Sequence, residues 1–351
     1  MGSVNIQTIS PQSTSQPATN VMLDKLLASV GQTEGITYFC HLLETMGFST
    51  SGRWGTLKER IKTDIESTEA SKARCTTNAL ADAIDRFLSC ANHRYEIVAL
   101  DSTTATLLRI QIAGAGIPTL INSQAANLYP SKFNFQDGIS HETGTRLCKI
   151  TDSNGGYALI YSSVRIKPTT YKLVYSQVFH TVFVPHKSDR VEYRLSCEIR
   201  KSDTSDELKQ LKIAFVNDVD IRGGKVDGNP VNFFKAIKSL YDDQNAGRVS
   251  WGRVATFEEK PHHTSSACND PGHCCRPELA KHDVSANGNT YHPFQITLRY
   301  LYPNHNDFEM ELSFDPTRTD WDANKCESIV IKEPKDSLML SNIINTILSR
   351  S

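Results

Sequence analysis

Residues 167–177, from Lys167 to Gln177, read KPTTYKLVYSQ. The stretch opens with cations and an aromatic and continues in the two-residue alternation of a β-strand. One side can therefore hold a phosphate while the other enters a core, which points to binding rather than catalysis. The same period runs outward from it. Residues 145–150 and 157–166 flank a turn, Asp152 to Gly156, and predict a hairpin. Residues 171–184 and 191–199 predict the next strands, and 294–301, 308–314 and 328–331 resume the pattern. Between these runs the period lengthens to that of helices. Thr204 to Glu207 reads as a capping box, with Leu208, Leu211 and Ala214 turned inward. Asn229 and Pro230 suit an N-cap and first helical position ahead of Val231, Phe234, Ile237 and Tyr241. Pro334 introduces a last helix carrying Leu338, Ile343, Ile344 and Ile347. The pattern predicts an α+β fold, an antiparallel sheet with helices packed against it.

Upstream of residue 145 the reading is helical. Residues 1–20 have few large apolar side chains and predict a mobile tail. Helices are expected from Asn20 (with Val21, Leu23, Leu26, Leu27 and Val30) and from Thr33 (with Ile36, Phe39, Leu43 and Met46), the second ending at Gly47. A third carries Leu57, Ile61 and Ile65, and a fourth Leu80, Ile84, Phe87 and Leu88. The expected division is a tail over 1–20, an all-helical domain over 21–100, a connecting region over 101–144, and an α+β domain over 145–351 with a Cys/His-rich loop at about 250–290.

The 351 residues suffice for two domains and a substantial core. A net charge of -1 gives no global basic field. The charge is uneven, however. Residues 165–201 hold eight Lys or Arg against Asp189, Glu192 and Glu198, while Asp307, Glu309, Glu311, Asp315, Asp320 and Asp322 make a later segment acidic. There is no apolar run long enough to span a bilayer and no apolar signal-peptide core, so a soluble intracellular protein with no membrane partner is expected. Nine scattered cysteines suit reduced thiols better than a disulfide framework.

Helix, Gly47 to Arg53, then a helix beginning around Leu57 with Lys58, Glu59 and Arg60 resembles the SAP helix–extended–helix DNA-binding module, in which Arg53, Lys58 and Arg60 approach phosphates. A wider resemblance rests on the order of several motifs. These are the Lys-Pro-x-x-Tyr-Lys strand with Tyr175, Ser176 and Gln177, Val219 to Arg222 before the helix containing Phe233 to Ile237, and Lys325 to Ile331 before the last helix. In that order, over roughly residues 21–348, the chain resembles the centromere protein N family of the inner kinetochore. The resemblance implies a pyrin-like helical domain joined to a β-sheet domain, with duplex or nucleosomal DNA between them. It also implies a centromere protein L-like subunit on the C-terminal part, recognition of nucleosomes carrying the centromeric histone variant, and a place in the nucleus at the centromere, serving chromosome segregation. Carried over by position, it assigns DNA contact to Arg53, Tyr171 and Lys172, and more loosely to Lys187, Arg190 and Arg222; Lys167 and Lys225 lie in the same basic segments. Asp24 and Lys25 are the only charged candidates in the first helix for a histone contact, and residues 101–144 have no counterpart in the family.

The Cys/His-rich segment offers separate chemistry. Cys268, His273, Cys275 and His282 are one set that could surround a structural zinc, although their spacing is irregular and no paired CxxC knuckles occur. No other cofactor is called for. Arg222 to Lys225 lacks the residues of a phosphate-binding loop, and His180 in an apolar strand reads as a structural histidine. Three readings follow: a non-enzymatic kinetochore scaffold, a SAP-like DNA-binding protein with a zinc-stapled loop, and a metal-dependent nuclease using the acids of 307–322.

Overall fold

The computed structural model describes residues 36–114, 123–135, 141–153, 155–168, 173–219, 226, 228–257, 263–268, 270, 273–281, 290–302, 305–334 and 337–351. The expected tail, the helix from Asn20 and the cap at Thr33 lie outside these residues.

Ten strands form one antiparallel sheet: β1 (His93–Ala99), β2 (Gly144–Ser153), β3 (Gly156–Pro168), β4 (Leu173–Pro185), β5 (Arg190–Ser196), β6 (Arg248–Ala255), β7 (His263–Ala267), β8 (His292–Tyr302), β9 (His305–Phe314) and β10 (Ile329–Lys332). Their order is β2-β3-β4-β5-β1-β10-β9-β8-β6-β7. Among the described residues the helices are α1 (Ile36–Thr45), α2 (Trp54–Glu66), α3 (Thr77–Cys90), α4 (Ser102–Ala113), α5 (Gln124–Leu128), α6 (Thr204–Val219), α7 (Phe234–Asp242), α8 (Arg276–Ala280), α9 (Arg318–Asp322) and α10 (Ser337–Leu348). The fold is therefore mixed α+β on a large antiparallel sheet.

The expected all-helical stretch is corrected over its last residues, because His93–Ala99 form β1 and not helix or linker. β1 joins the two halves of the sheet. It pairs with β5 along its whole length and with β10 over His93 to Tyr95. Residues 101–144, which had no structural reading, contain α4 and α5.

Helices cover opposite faces in the two halves. In one core Tyr95, Ile97, Ile296, Leu298, Leu312, Phe314, Ile329 and Ile331 of the sheet meet Phe39, Leu43, Leu57, Ile61, Leu80, Ile84, Ile237, Leu340 and Ile344 of α1, α2, α3, α7 and α10. The N-terminal helices and the C-terminal strands thus share one apolar interior. In the other core Leu159, Tyr161, Val182, Val184, Val191, Tyr193 and Leu195 meet Leu108 and Ile112 of α4 and Leu211, Phe215 and Val219 of α6. Strand alternation places these two sets on opposite faces of β5 and β1, since opposed residues such as Tyr95 and Arg194, or Val98 and Val191, share a face.

Two expected helix starts differ. Glu207 does not cap α6. Its carboxylate is fully buried, ion-paired to Arg165, and accepts from the Ser163 hydroxyl at 2.8 Å. Asn229 and Pro230 lie ahead of α7; Val231 donates to the Ile97 carbonyl at 2.8 Å, and Asn232 Oδ1 accepts from the Phe234 N–H at 3.1 Å. The neighbouring strand takes up the backbone that the pattern assigned to a first helical turn.

Candidate nucleic-acid interface

The helix–loop–helix formed by α1 and α2 is built by its own sequence. Gly47 takes φ of +92°, a conformation glycine adopts without a Cβ clash, and the Phe48 N–H reaches the Leu43 carbonyl at 3.0 Å to close α1. Asp64 then reaches back from α2 to accept the N–H and hydroxyl of Ser49. Lys72 completes the staple, at 3.0 Å from Asp64 and from the Gly47 carbonyl and 2.8 Å from Ser49 Oγ. Burial pushes the Asp64 carboxyl up, but the Ser49 bonds and Lys72 outweigh it and hold the group below the ordinary carboxylate range.

This staple fixes the approach to Arg53, the N-cap residue of α2, which makes no side-chain cap bond. Arg53, Thr56, Arg60 and Thr63 are all exposed and spaced i, i+3, i+7 and i+10, so they form one stripe along the helix. Among the described residues no acid pairs with Arg53 or Arg60. Lys58 is half-buried, its ammonium 5.2 Å from the Trp54 ring centre.

The other expected cations do not gather around this stripe as one group. Lys167 is in β3 near the end where Pro168 opposes Leu173, whereas Lys187 is exposed beyond the other end, where Gly156 opposes Pro185. At ~3.3 Å per residue the ends are roughly 40 Å apart. Arg190 is corrected from a DNA-facing cation to an interior one. It is 6 % exposed, with Nε 2.8 Å from Glu192 and Nη1 2.8 Å from Asn345 of α10. Tyr171, Lys172, Arg222 and Lys225 lie outside the described residues.

The Cys/His set also diverges where it is described. Cys275 is buried and its thiol donates to the Ser250 carbonyl at 3.4 Å, while His273 is exposed and 3.0 Å from Glu278. His282 lies outside the described residues. Among the described residues no group of three or more His, Cys, Asp or Glu side chains is arranged to hold a metal ion. Four of the acids of 307–322 meet cations. Glu309 pairs with Arg248 and Arg299, Glu311 with Arg299 and Lys332, Asp315 with Arg94 and Lys201, and Asp322 with Arg318. His180 is a buried structural histidine. Its Nδ1 accepts from the Ser196 N–H at 3.1 Å, so Nε2 carries the proton that points to Glu207, 3.2 Å away. Burial first, and Arg165 second, lower its pKa to about 3 and keep it neutral.

Sequence reasoning missed a trough on the sheet face left open beyond α6. Arg94 grips Asp315 through two bonds of 2.8 and 3.0 Å, and Lys201 approaches the same carboxylate at 2.9 Å. Cavities of about 270 and 370 Å³ adjoin this bridge; both are lined by Arg94, Lys201, Thr204 and Asp315. Burial raises the Asp315 carboxyl, and Arg94 with Lys201 more than offset this, leaving it below its usual range. Two cations and one carboxylate leave one positive charge at the bridge, and the walls add Glu96, Asp320, Lys325 and Glu327 in one cavity and Glu311 and Lys332 in the other. The parts of the trough come from β1, β9 and the turn before α6, and no local motif joins them.

The fold and surface define a mixed α+β protein with an arginine stripe, unpaired among the described residues, on a stapled helix–loop–helix. No family model matches the chain, and no curated protein or solved structure is similar to it. Among the described residues no helix is long and apolar enough to cross a membrane.

Proposed function

We propose that the chain is a non-catalytic, DNA-binding scaffold of the centromere protein N kind, acting in the nucleus at the inner kinetochore. In this reading the helices before β1 form the pyrin-like part. The sheet region binds a centromere protein L-like subunit, and the nucleosome carries the centromeric histone variant.

The observation that carries the DNA contact is the stripe of Arg53 and Arg60. Both guanidiniums are exposed and unpaired among the described residues, and they stand about 10 Å apart along α2 at 1.5 Å per residue. The uncapped first turn of α2 presents backbone N–H groups at the same end, where the helix dipole favours an anion. Such contacts position a phosphate backbone without reading its sequence. Tyr171 and Lys172 supply the second wall on the resemblance alone.

Duplex DNA titrated by fluorescence anisotropy at low and physiological salt tests this. Arg53→Ala with Arg60→Ala weakens binding and lowers the slope of log affinity against log salt by about 2, from the loss of two phosphate contacts. The Tyr171→Ala, Lys172→Ala pair weakens binding in the same assay. Affinity unchanged by the arginine pair removes the interface from this face.

A further inference from the structure

The cysteines of the segment after β7 occupy unlike places. β6 and β7 pair up to Trp251 opposite Ala267, and β6 has an irregular register between Val249 and Trp251. At that irregularity two consecutive carbonyls of β6 turn to the same segment. The Cys268 N–H donates to the Ser250 carbonyl and the Cys275 N–H to the Val249 carbonyl, each at 2.8 Å. The Cys275 thiol also donates to the Ser250 oxygen, at 3.4 Å. One oxygen atom is thus touched by the backbone of Cys268 and the sulfur of Cys275. The chain leaves β6 and returns to it with a cysteine at each foot. Cys274 is held differently, its sulfur accepting from the Val249 N–H at 3.4 Å and from Arg276 at 3.5 Å.

We propose that Cys268 and Cys275 are a redox pair that closes into a disulfide across the foot of this segment. Both residues are anchored on neighbouring carbonyls of β6, and a disulfide between them requires Cα atoms about 4.4–6.8 Å apart. Their exposures divide the work. Cys268 is half-buried and meets the oxidant, whereas Cys275 is 1 % exposed and resolves the intermediate. With a low-molecular-weight disulfide as oxidant, the Cys268 thiolate attacks one sulfur and expels a thiolate, leaving a mixed disulfide. The deprotonated Cys275 sulfur then attacks the Cys268 sulfur and expels the second thiolate. Two protein thiols lose two electrons and two protons, and the small disulfide becomes two thiols.

The full chain, purified under reducing conditions, is exposed to glutathione disulfide, and its thiols are counted after denaturation in acid. Two of the nine thiols are expected to disappear. Non-reducing peptide mapping is expected to join Cys268 to Cys275. Cys275→Ser is expected to stop at a stable glutathione adduct on Cys268, Cys268→Ser to abolish the link, and Cys274→Ser to leave it intact. Cys268 is on the surface side of the pair, so its variant keeps the test valid if Cys275→Ser fails to fold. A link to Cys274, nine free thiols after treatment, or stoichiometric zinc that protects Cys268 and Cys275 in the purified protein would each overturn the pair.

Discussion

On β5, Glu192 is fully buried between Arg190 and Arg194, whereas on β9, Glu311 is half-buried between Arg299 of β8 and Lys332 of β10. Each is a carboxylate between two cations, which lie two residues away along its own strand in the first case and on the neighbouring strands in the second. The difference is what lies above them. Over β5, α3 and α10 close the face; Arg194 donates to the Ser89 carbonyl of α3 at 2.7 Å, and its guanidinium stacks 4.0 Å from the Phe183 ring centre. Over β8, β9 and β10 no described helix covers the outer face; the side chains of Glu311, Arg299 and Lys332 are 21, 33 and 38 % exposed there, while Arg248 and Glu309 pair more deeply. A buried charge must be fully paired to exist at all, while exposed charges mainly keep an open sheet face wet. The first arrangement fixes which helices dock and in what register; the second leaves the surface available.

The largest effect belongs to the buried triplet. Glu192→Ala strands two guanidiniums in the interior and is expected to lower unfolding free energy by about 3–5 kcal/mol, read from the urea midpoint at constant slope. A loss under about 1 kcal/mol would mean that water reaches the triplet and that the two halves of the sheet do not differ as described. Replacing all three charges together by apolar residues of similar volume sharpens the point, since such replacements are often neutral or stabilising.

The same contrast explains what could be read from the chain. Residues 165–201 count as a basic run because only their own acids are visible in the window. In the fold, Arg165 is matched by Asp203 and Glu207 from beyond that window, and Arg190 and Arg194 share Glu192 beneath helices from both ends of the chain. Strands with regular apolar alternation, such as β3, β4, β5, β8 and β9, were legible to within a few residues. β1 was not, because His93, Arg94 and Glu96 break the apolar pattern of a strand buried on both faces, and the charges of Arg94 and Glu96 are met by distant partners, Asp315 and Lys212. β7, His-Thr-Ser-Ser-Ala, carries no large apolar residue and is defined by its pairing with β6. For the candidate interface, the helix–loop–helix and its arginines were legible because Gly47 and the helical period are local signals. Asp64 was not, since a staple across fifteen residues leaves no pattern in either helix.

An intermediate effect is expected at that staple, which is part buried and part wet. Asp64→Asn removes the charge that Lys72 meets and is expected to cost about 1 kcal/mol. Asp64 titrates below its unfolded value near 3.9, so its contribution is complete above about pH 4 and fades as pH falls through the lower folded value. The wild type should therefore lose stability faster than the variant on acidification below pH 4, by thermal melts across that range. Parallel curves would show that Ser49 and Lys72 do not hold the carboxylate.

The smallest effect is expected on the open face, and its smallness is the point of the comparison. Glu311 touches Arg299 at 3.3 Å and Lys332 at 3.6 Å, yet their side chains are 33 % and 38 % exposed and water can replace the lost partner. Glu311→Ala should cost no more than about 1 kcal/mol, and less in high salt, where exposed pairs are screened. A cost above about 2 kcal/mol that persists in 1 M salt would require this face to be as dry as the one beneath α3 and α10. The trough beside Arg94 would then be part of a closed interior, and the charge ladder would fix the register of β9 against β8 and β10 in the way the triplet fixes β5 beneath its helices.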